Sequence, residues 1–385
     1  MPQTKISTDH SKWHARTRFD AAHQFTHALA ATCDLGVDPA VVDETIECLS
    51  ASWADVELIE SPRWSGLGSD CSGFDASLVL GDYPELRITA EAQAEPPTPL
   101  SYWQAAVGLS RELESRFGAD LCQYREIENL FYPTNPNAPG VLWHGARFRR
   151  GDRPKFKVYF HFSAVGKENA LRTAEATFRQ LGLGSAFPVV LSTKHERDEL
   201  LFLSIDLLPR REARIKIYIR HTNITPSELD RIAEISPKHQ QNVVRLFAET
   251  LVGGRRPIRR GALTCLSFGT VTDEPTVVTH IRLYPHCGER DSVIACRLAK
   301  ALREMNISPL LYQAALRALA KTDLEQEVGI HSWASLKHVN GRALVSVYFS
   351  PRMYLARCGP ISLNPARMWP TAVLEEPEYV MPLQI

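Results

Sequence analysis

Ten short strand-like runs rich in apolar residues recur along this chain, joined two by two through turns, with amphipathic helical stretches between the pairs. They fall into five pairs: 74–80 with 85–91, 140–147 with 155–162, 200–207 with 213–220, 263–270 with 277–284, and 328–337 with 343–350. Turn residues separate the partners, among them Gly81-Asp82-Tyr83-Pro84, Gly151-Asp152-Arg153-Pro154 and the hairpin dipeptide Asn340-Gly341. Between the pairs, apolar residues recur at helical spacing and predict helices over 102–117, 167–181, 240–251, 291–305 and 309–321. Thr225-Pro226-Ser227-Glu228 reads as a helix start, with threonine as the cap and proline in the first turn.

The order helix, strand, strand, helix thus recurs roughly over 61–120, 121–182, 183–252, 253–322 and 323–385, after an N-terminal helix within 1–60. Repeats of this length stack to bury a shared face. Five antiparallel hairpins side by side make a ten-stranded sheet, and closure into a barrel removes its edges and leaves a lumen. The expected fold is therefore α+β: one domain over 1–385, a ten-stranded antiparallel β-barrel of five αββα repeats ringed by helices. The plainer reading is a row of separate α+β domains.

A second pattern lies on the strands. Lys157-Val158-Tyr159, Lys216-Ile217-Tyr218 and Arg282-Leu283-Tyr284 each place a cation two residues before a tyrosine, and Ser346-Val347-Tyr348 repeats the tyrosine. The tyrosines are 59, 66 and 64 residues apart, and Arg87-Ile88-Thr89 lies 70 residues before the first unit. Residues i and i+2 of a strand share a face, so each cation stands beside its tyrosine. Helices packed outside require the apolar face, Val158, Ile217, Leu283 and Val347, to point outward, which turns cations and phenols into the lumen. Few ligands need both at once. An anionic leaving group on a carbocation is one.

Composition narrows the partners. Lysine plus arginine equals aspartate plus glutamate, 44 each in 385 residues, so global charge argues against nucleic acid or an anionic membrane. The basic run 255–260 reads as a linker between repeats. Eight cysteines, at 33, 48, 71, 122, 265, 287, 296 and 358, show no Cys-x-x-Cys pair and suit reduced thiols of a cytoplasmic protein. The sequence also lacks an apolar run near membrane-spanning length, a phosphate loop with Lys-Ser/Thr, a Gly-x-Ser-x-Gly elbow, a His-Glu-x-x-His helix and the Asp-Asp-x-x-Asp magnesium block.

The blocks Phe74-Asp75-Ala76-Ser77-Leu78, Glu85-Leu86-Arg87, Lys155-Phe156-Lys157-Val158-Tyr159, Arg214-Ile215-Lys216-Ile217-Tyr218 and Ser346-Val347-Tyr348, in this order and spacing, resemble the aromatic prenyltransferases of the αββα (ABBA) barrel type, specifically the bacterial branch of the dimethylallyltryptophan synthase family. The resemblance spans roughly residues 61–351. It implies a transferase that moves a dimethylallyl group from dimethylallyl diphosphate to an indole of tryptophan or a tryptophan derivative. It also implies no required cofactor, with Mg2+ at most stimulatory. The alternatives are prenylation of a phenol or other non-indole ring, or a non-catalytic barrel binding an amphipathic anion.

Carried over residue by residue, the resemblance implies a diphosphate clamp of Arg87, Lys157, Arg214, Lys216 and Arg282, and a carbocation shield of Tyr159, Tyr218, Tyr284 and Tyr348. Asp75 stands where the family commonly has glutamate and is expected to accept the indole N–H. His144, 13 residues before Lys157, is at the spacing where some members place a proton-removing lysine, and histidine titrates in the right range for a general base. Trp143, His280 and Trp333 are expected to line the acceptor pocket.

Overall fold

The computed structural model describes residues 15–33, 35–59, 65–68, 70–237, 239–269, 274–283, 290–339 and 341–354. Its centre is a closed ten-stranded barrel in which every strand pairs antiparallel with its sequence neighbours and β1 closes on β10. The strands are β1 (Phe74–Leu80), β2 (Glu85–Glu91), β3 (Leu142–Arg149), β4 (Lys155–His161), β5 (Glu199–Asp206), β6 (Arg214–His221), β7 (Ala262–Gly269), β8 (Thr276–Arg282), β9 (His331–Val339) and β10 (Arg342–Phe349). Around them lie α1 (Arg18–Cys33), α2 (Pro39–Ser50), α3 (Pro99–Phe117), α4 (Cys122–Ile127), α5 (Lys167–Gln180), α6 (Phe187–Thr193), α7 (Pro226–Ala233), α8 (Val243–Val252), α9 (Asp291–Glu304) and α10 (Leu310–Leu319). The described residues before the barrel hold two helices rather than one, the second started by the Asp38 cap and Pro39.

The hydrophobic core is the annulus between barrel and helices. Outward-facing Phe156 packs on Phe117 of α3 at 5.0 Å, and Phe160 meets Trp103, Tyr124 and Phe131 at 6.2, 5.3 and 4.8 Å. Phe178 of α5 stands edge-on to Phe268 of β7. Full burial of such a ring contributes about 1.5–3 kcal/mol, so the annulus supplies the cohesion and leaves the lumen free to carry polar groups.

Local signals place several helix ends. Thr225, the cap read from the sequence, makes a reciprocal capping box with Glu228, and Thr98 with Ser101 makes another before α3. α8 begins at Val243 rather than 240, because its first N–H groups are capped from outside: Asp230 of α7 accepts from Asn242 N, Val244 N and Arg245 N. β9 starts at His331 rather than 328, where Asp291 of α9 accepts from the backbone N–H groups of Ile330 and His331. The first spans 12 to 15 residues between consecutive helices, and the second joins residues 39 and 40 positions apart.

Candidate active site

Strand register sorts the inward-facing residues into levels along the barrel axis. On β4 the inward series is Lys155, Lys157, Tyr159 and His161, paired with Arg147, Gly145 and Trp143 of β3 on one side and with Asp206, Ser204 and Phe202 of β5 on the other. On β6, Lys216 pairs with Ser204 and Ser267, and Tyr218 with Phe202 and Cys265. Two cavities result, one at each end of the lumen, and Tyr218, His280 and Tyr348 line both.

The first cavity, about 300 Å³, is cationic. Arg87, Lys157, Arg214 and Lys216 meet there, as the sequence led us to expect, joined by Arg147, Arg149, Lys155 and Lys337. Sequence reading missed these four, although Arg147 and Arg149 continue the inward phase of Trp143, and Lys155 that of Lys157. Two carboxylates hold the cations in place. Asp206 accepts from Arg214 Nε at 2.6 Å and Lys216 Nζ at 2.8 Å, and Glu85 lies 2.7 Å from Arg87 Nη2 and 3.6 Å from Arg147 Nη1.

Burial pushes the Asp206 carboxyl up, but the adjoining Lys216 and Arg214 outweigh it and hold the group well below the usual carboxylate range. Burial lowers Lys216 to about 8, against the pull of Asp206. Lys157, which has no bonded carboxylate among the described residues, is held well below the usual lysine range by burial and by Lys216 and Arg87. Its stem crosses Gly145, where a Cβ would stand 3.0 Å from Lys157 Cε and 3.3 Å from the Ile88 carbonyl oxygen.

An aromatic belt forms the middle level. Phe202 lies 4.4 Å from Tyr218 and 5.6 Å from Tyr159, and the two tyrosine rings are 6.1 Å apart. His280 continues the belt, 5.8 Å from Tyr218 and 6.0 Å from Tyr348, with its Nε2 3.4 Å from the Tyr348 hydroxyl. The Lys157 ammonium sits 4.9 Å from the Tyr159 ring centre. Burial raises the pKa of all three tyrosines, so they remain neutral phenols. Tyr284 lies outside the described residues.

The second cavity is largely apolar and is lined by Asp75, Thr89, Trp143, Phe202, Leu263 and Trp333, with Arg220 and Arg282 at its wall. Burial raises Asp75 to about 7, opposed by its hydrogen bond with Thr89 and by the charge of Lys157. Trp143 packs edge-on to His161, 3.9 Å between ring centres, and its Nε1–H donates to Glu91 Oε1 at 2.8 Å. Glu91 is fully enclosed and burial raises it to about 8. It too was missed, although it closes the inward series Glu85, Arg87, Thr89 on β2.

Two assignments change. Arg282 does not join the cationic cavity: it lines the other one, 5.6 Å from the Trp333 ring centre. Lys216 pairs with Ser267 and Ser267 with Thr276, so the β8 residue level with Lys216 is Thr276, and Arg282 stands three inward positions further along. Lys337 of β9, paired with Val278, supplies the cation on that side. His144 faces the helices. Its register partners are Ala90 and Val158, it is fully buried, its Nε2 is 2.8 Å from Ser110 Oγ of α3, and burial lowers it to about 3. A one-residue step along a strand reverses the face, and the inward position beside Lys157 is Gly145, which has no side chain.

A profile of the family described as Tryptophan dimethylallyltransferase matches residues 36–310. Among solved structures, 6-dimethylallyltryptophan synthase from Micromonospora olivasterospora, in complex with DMASPP and Trp, has a TM-score of 0.82 at 24% identity, over 88% of this chain and 99% of that one. For 5-dimethylallyl tryptophan synthase from Streptomyces coelicolor, in complex with DMASPP and Trp, the TM-score is 0.79 at 23% identity, over 91% and 99%. The ternary complex of prenyltransferase PriB with L-tryptophan and dimethylallyl thiolodiphosphate gives 0.78 at 26% identity, over 88% and 97%.

Proposed function

This chain belongs to the tryptophan dimethylallyltransferase family, and from that premise we propose that it transfers a dimethylallyl group from dimethylallyl diphosphate to the indole ring of tryptophan, with each level of the lumen serving one part of the reaction. The observation that carries this reading is the axial order: cations, then aromatic rings, then an apolar cavity with a buried carboxyl.

The diphosphate binds among Arg87, Lys157, Arg214 and Lys216. As the C1–O bond breaks, negative charge grows on the leaving oxygen while those cations are already in position. One such preorganised donor is worth about 2.7–4 kcal/mol at the transition state. The same set takes over the charge neutralisation that magnesium performs elsewhere, so the reaction proceeds without a metal and Mg2+ acts at most as a stimulant. Tyr159, Tyr218 and Tyr348 hold the allyl cation by their faces, each contributing about 0.5–2 kcal/mol, and keep water from it.

The indole enters from the Trp143 and Trp333 side with its N–H donated to ionised Asp75. The ring carbon uses its π pair to form the new C–C bond, and positive charge spreads to nitrogen, beside that carboxylate. The ring proton then leaves and aromaticity returns. The arenium ion is a strong acid, so a weak acceptor suffices, and the departing diphosphate and neutral His280 are the acceptors next to it. His144 takes no part. The protein acts in the cytoplasm; among the described residues no helix is long and apolar enough to cross a membrane.

The deciding experiment incubates the purified chain with dimethylallyl diphosphate and tryptophan in EDTA and reads product mass and NMR. One added C5H8 on the indole supports the proposal. Diphosphate binding without any such product refutes it.

A further inference from the structure

Outside the lumen, His23 and His27 lie one turn apart on the same face of α1, and Asp43 of α2 stands opposite them. His23 Nε2 is 2.8 Å and His27 Nε2 2.5 Å from the same oxygen, Asp43 Oδ1, and the two imidazoles are 4.3 Å between ring centres. The three ligand atoms all lie within 4.8 Å of one another, and each residue stays about one-third exposed, so solvent ions reach them.

We propose that His23, His27 and Asp43 form a binding site for a divalent transition-metal ion such as Zn2+ or Co2+. Two histidines at i and i+4 present both Nε2 atoms to one point, the arrangement helical zinc sites use. With metal–ligand bonds near 2.1 Å, tetrahedral geometry asks for ligand separations of about 3.4 Å, within reach of small side-chain rotations from the observed positions. Without metal, two N–H groups crowd one carboxylate oxygen. A dication replaces both by moving each proton to Nδ1 and taking the freed Nε2 lone pairs, and Asp43 neutralises half of its charge. Solvent completes the coordination.

Imidazole nitrogens select this class of ion over Mg2+, which prefers oxygen ligands and keeps its water. The site is therefore separate from any effect of magnesium on diphosphate. It ties α1, which precedes the family-matched residues 36–310, to α2, the first helix within them. Because the ion binds only the folded arrangement, it raises stability by mass action. None of its ligands lines the lumen, so prenyl transfer is unaffected.

The test uses the full chain without a histidine tag, stripped with EDTA, then titrated calorimetrically with Zn2+ and spectroscopically with Co2+ alongside H23Q, H27Q and D43N. The expected result is one equivalent of bound metal, a melting temperature that climbs with Zn2+, loss of both in either histidine variant and at least tenfold weaker binding in D43N. The circular dichroism of each variant checks that it folds. Equal affinity in wild type and the histidine variants, or no binding by wild type at millimolar Zn2+, overturns the assignment.

Discussion

Replacing Asp75 with asparagine keeps the shape of the acceptor anchor and removes its charge, and the two consequences have opposite signs. Catalysis should weaken. A hydrogen bond to an ionised acceptor is worth about 1.5–3 kcal/mol and one to a neutral acceptor about 0.5–1.5, so with the amide oxygen still accepting and 1.36 kcal/mol per tenfold the loss in kcat/KM for tryptophan is about 5- to 13-fold. The wild-type rate should also fall as pH drops through about 7, where burial makes the carboxyl take up its proton. D75N should lack that limb.

Stability should move the other way. A carboxyl whose folded pKa is raised above its unfolded value imposes a cost that is absent below the unfolded value, grows between the two and is complete above the folded one. For Asp75 that window runs from 3.8 to about 7. At 1.36 kcal/mol for each pH step, the full cost is roughly 4 kcal/mol, and roughly 3 of it accrue between pH 5 and pH 8. Urea unfolding of both proteins at pH 5 and pH 8 reads this directly: D75N should gain on wild type as pH rises. An unchanged kcat/KM, or a stability difference that stays flat between the two pH values, would falsify the anchor assignment.

Three other outcomes follow from the same site. K157A and K216A should each lower kcat by about 10²–10³, with circular dichroism unchanged; near-normal turnover removes them from the clamp. Because burial depresses both ammonium groups in the free barrel, an arriving diphosphate raises them, so its binding at pH 8 should take up protons; calorimetry in buffers of different ionisation enthalpy that shows no uptake refutes this. H144A should leave the pH–rate profile in place while costing about 1–3 kcal/mol of stability through the lost contact with Ser110; a shifted profile would return His144 to the mechanism.

Strand identity was legible because one face of every strand must meet the helices, and that requirement writes a period of two into the sequence. β1 and β2 match their expected bounds residue for residue. The height of a residue in the barrel is a different quantity, set by how strands slide past one another. Arg282 shares the cation-x-Tyr spelling of Lys157 and Lys216 yet sits at the other end of the lumen, since the spelling is local and the register of β7 with β8 is not. His144 fails for a smaller reason: Trp143 and His144 are adjacent, so only one of them can face inward. Asp206 and Glu85 were overlooked because a carboxylate that organises cations has meaning only beside its partners, and the Asp206–Arg214 bond joins two strands across a hairpin.

Burial gives the three levels a common logic. It pushes lysines down, and carboxyls and phenols up, so the lumen carries less charge than its side chains would bear in water. That lowers the cost of keeping so many ionisable groups together, and the exceptions are informative. Arg87, whose guanidinium burial opposes but Glu85 supports, and Asp206, held ionised by Lys216 and Arg214, stay charged within fixed pairs. In the proposed reaction Arg87 gives the cationic end a fixed charge, and an arriving diphosphate raises the depressed proton affinity of Lys157 and Lys216. In that proposal the clamp carries its full charge once the leaving group is in place, beside a belt of neutral phenols.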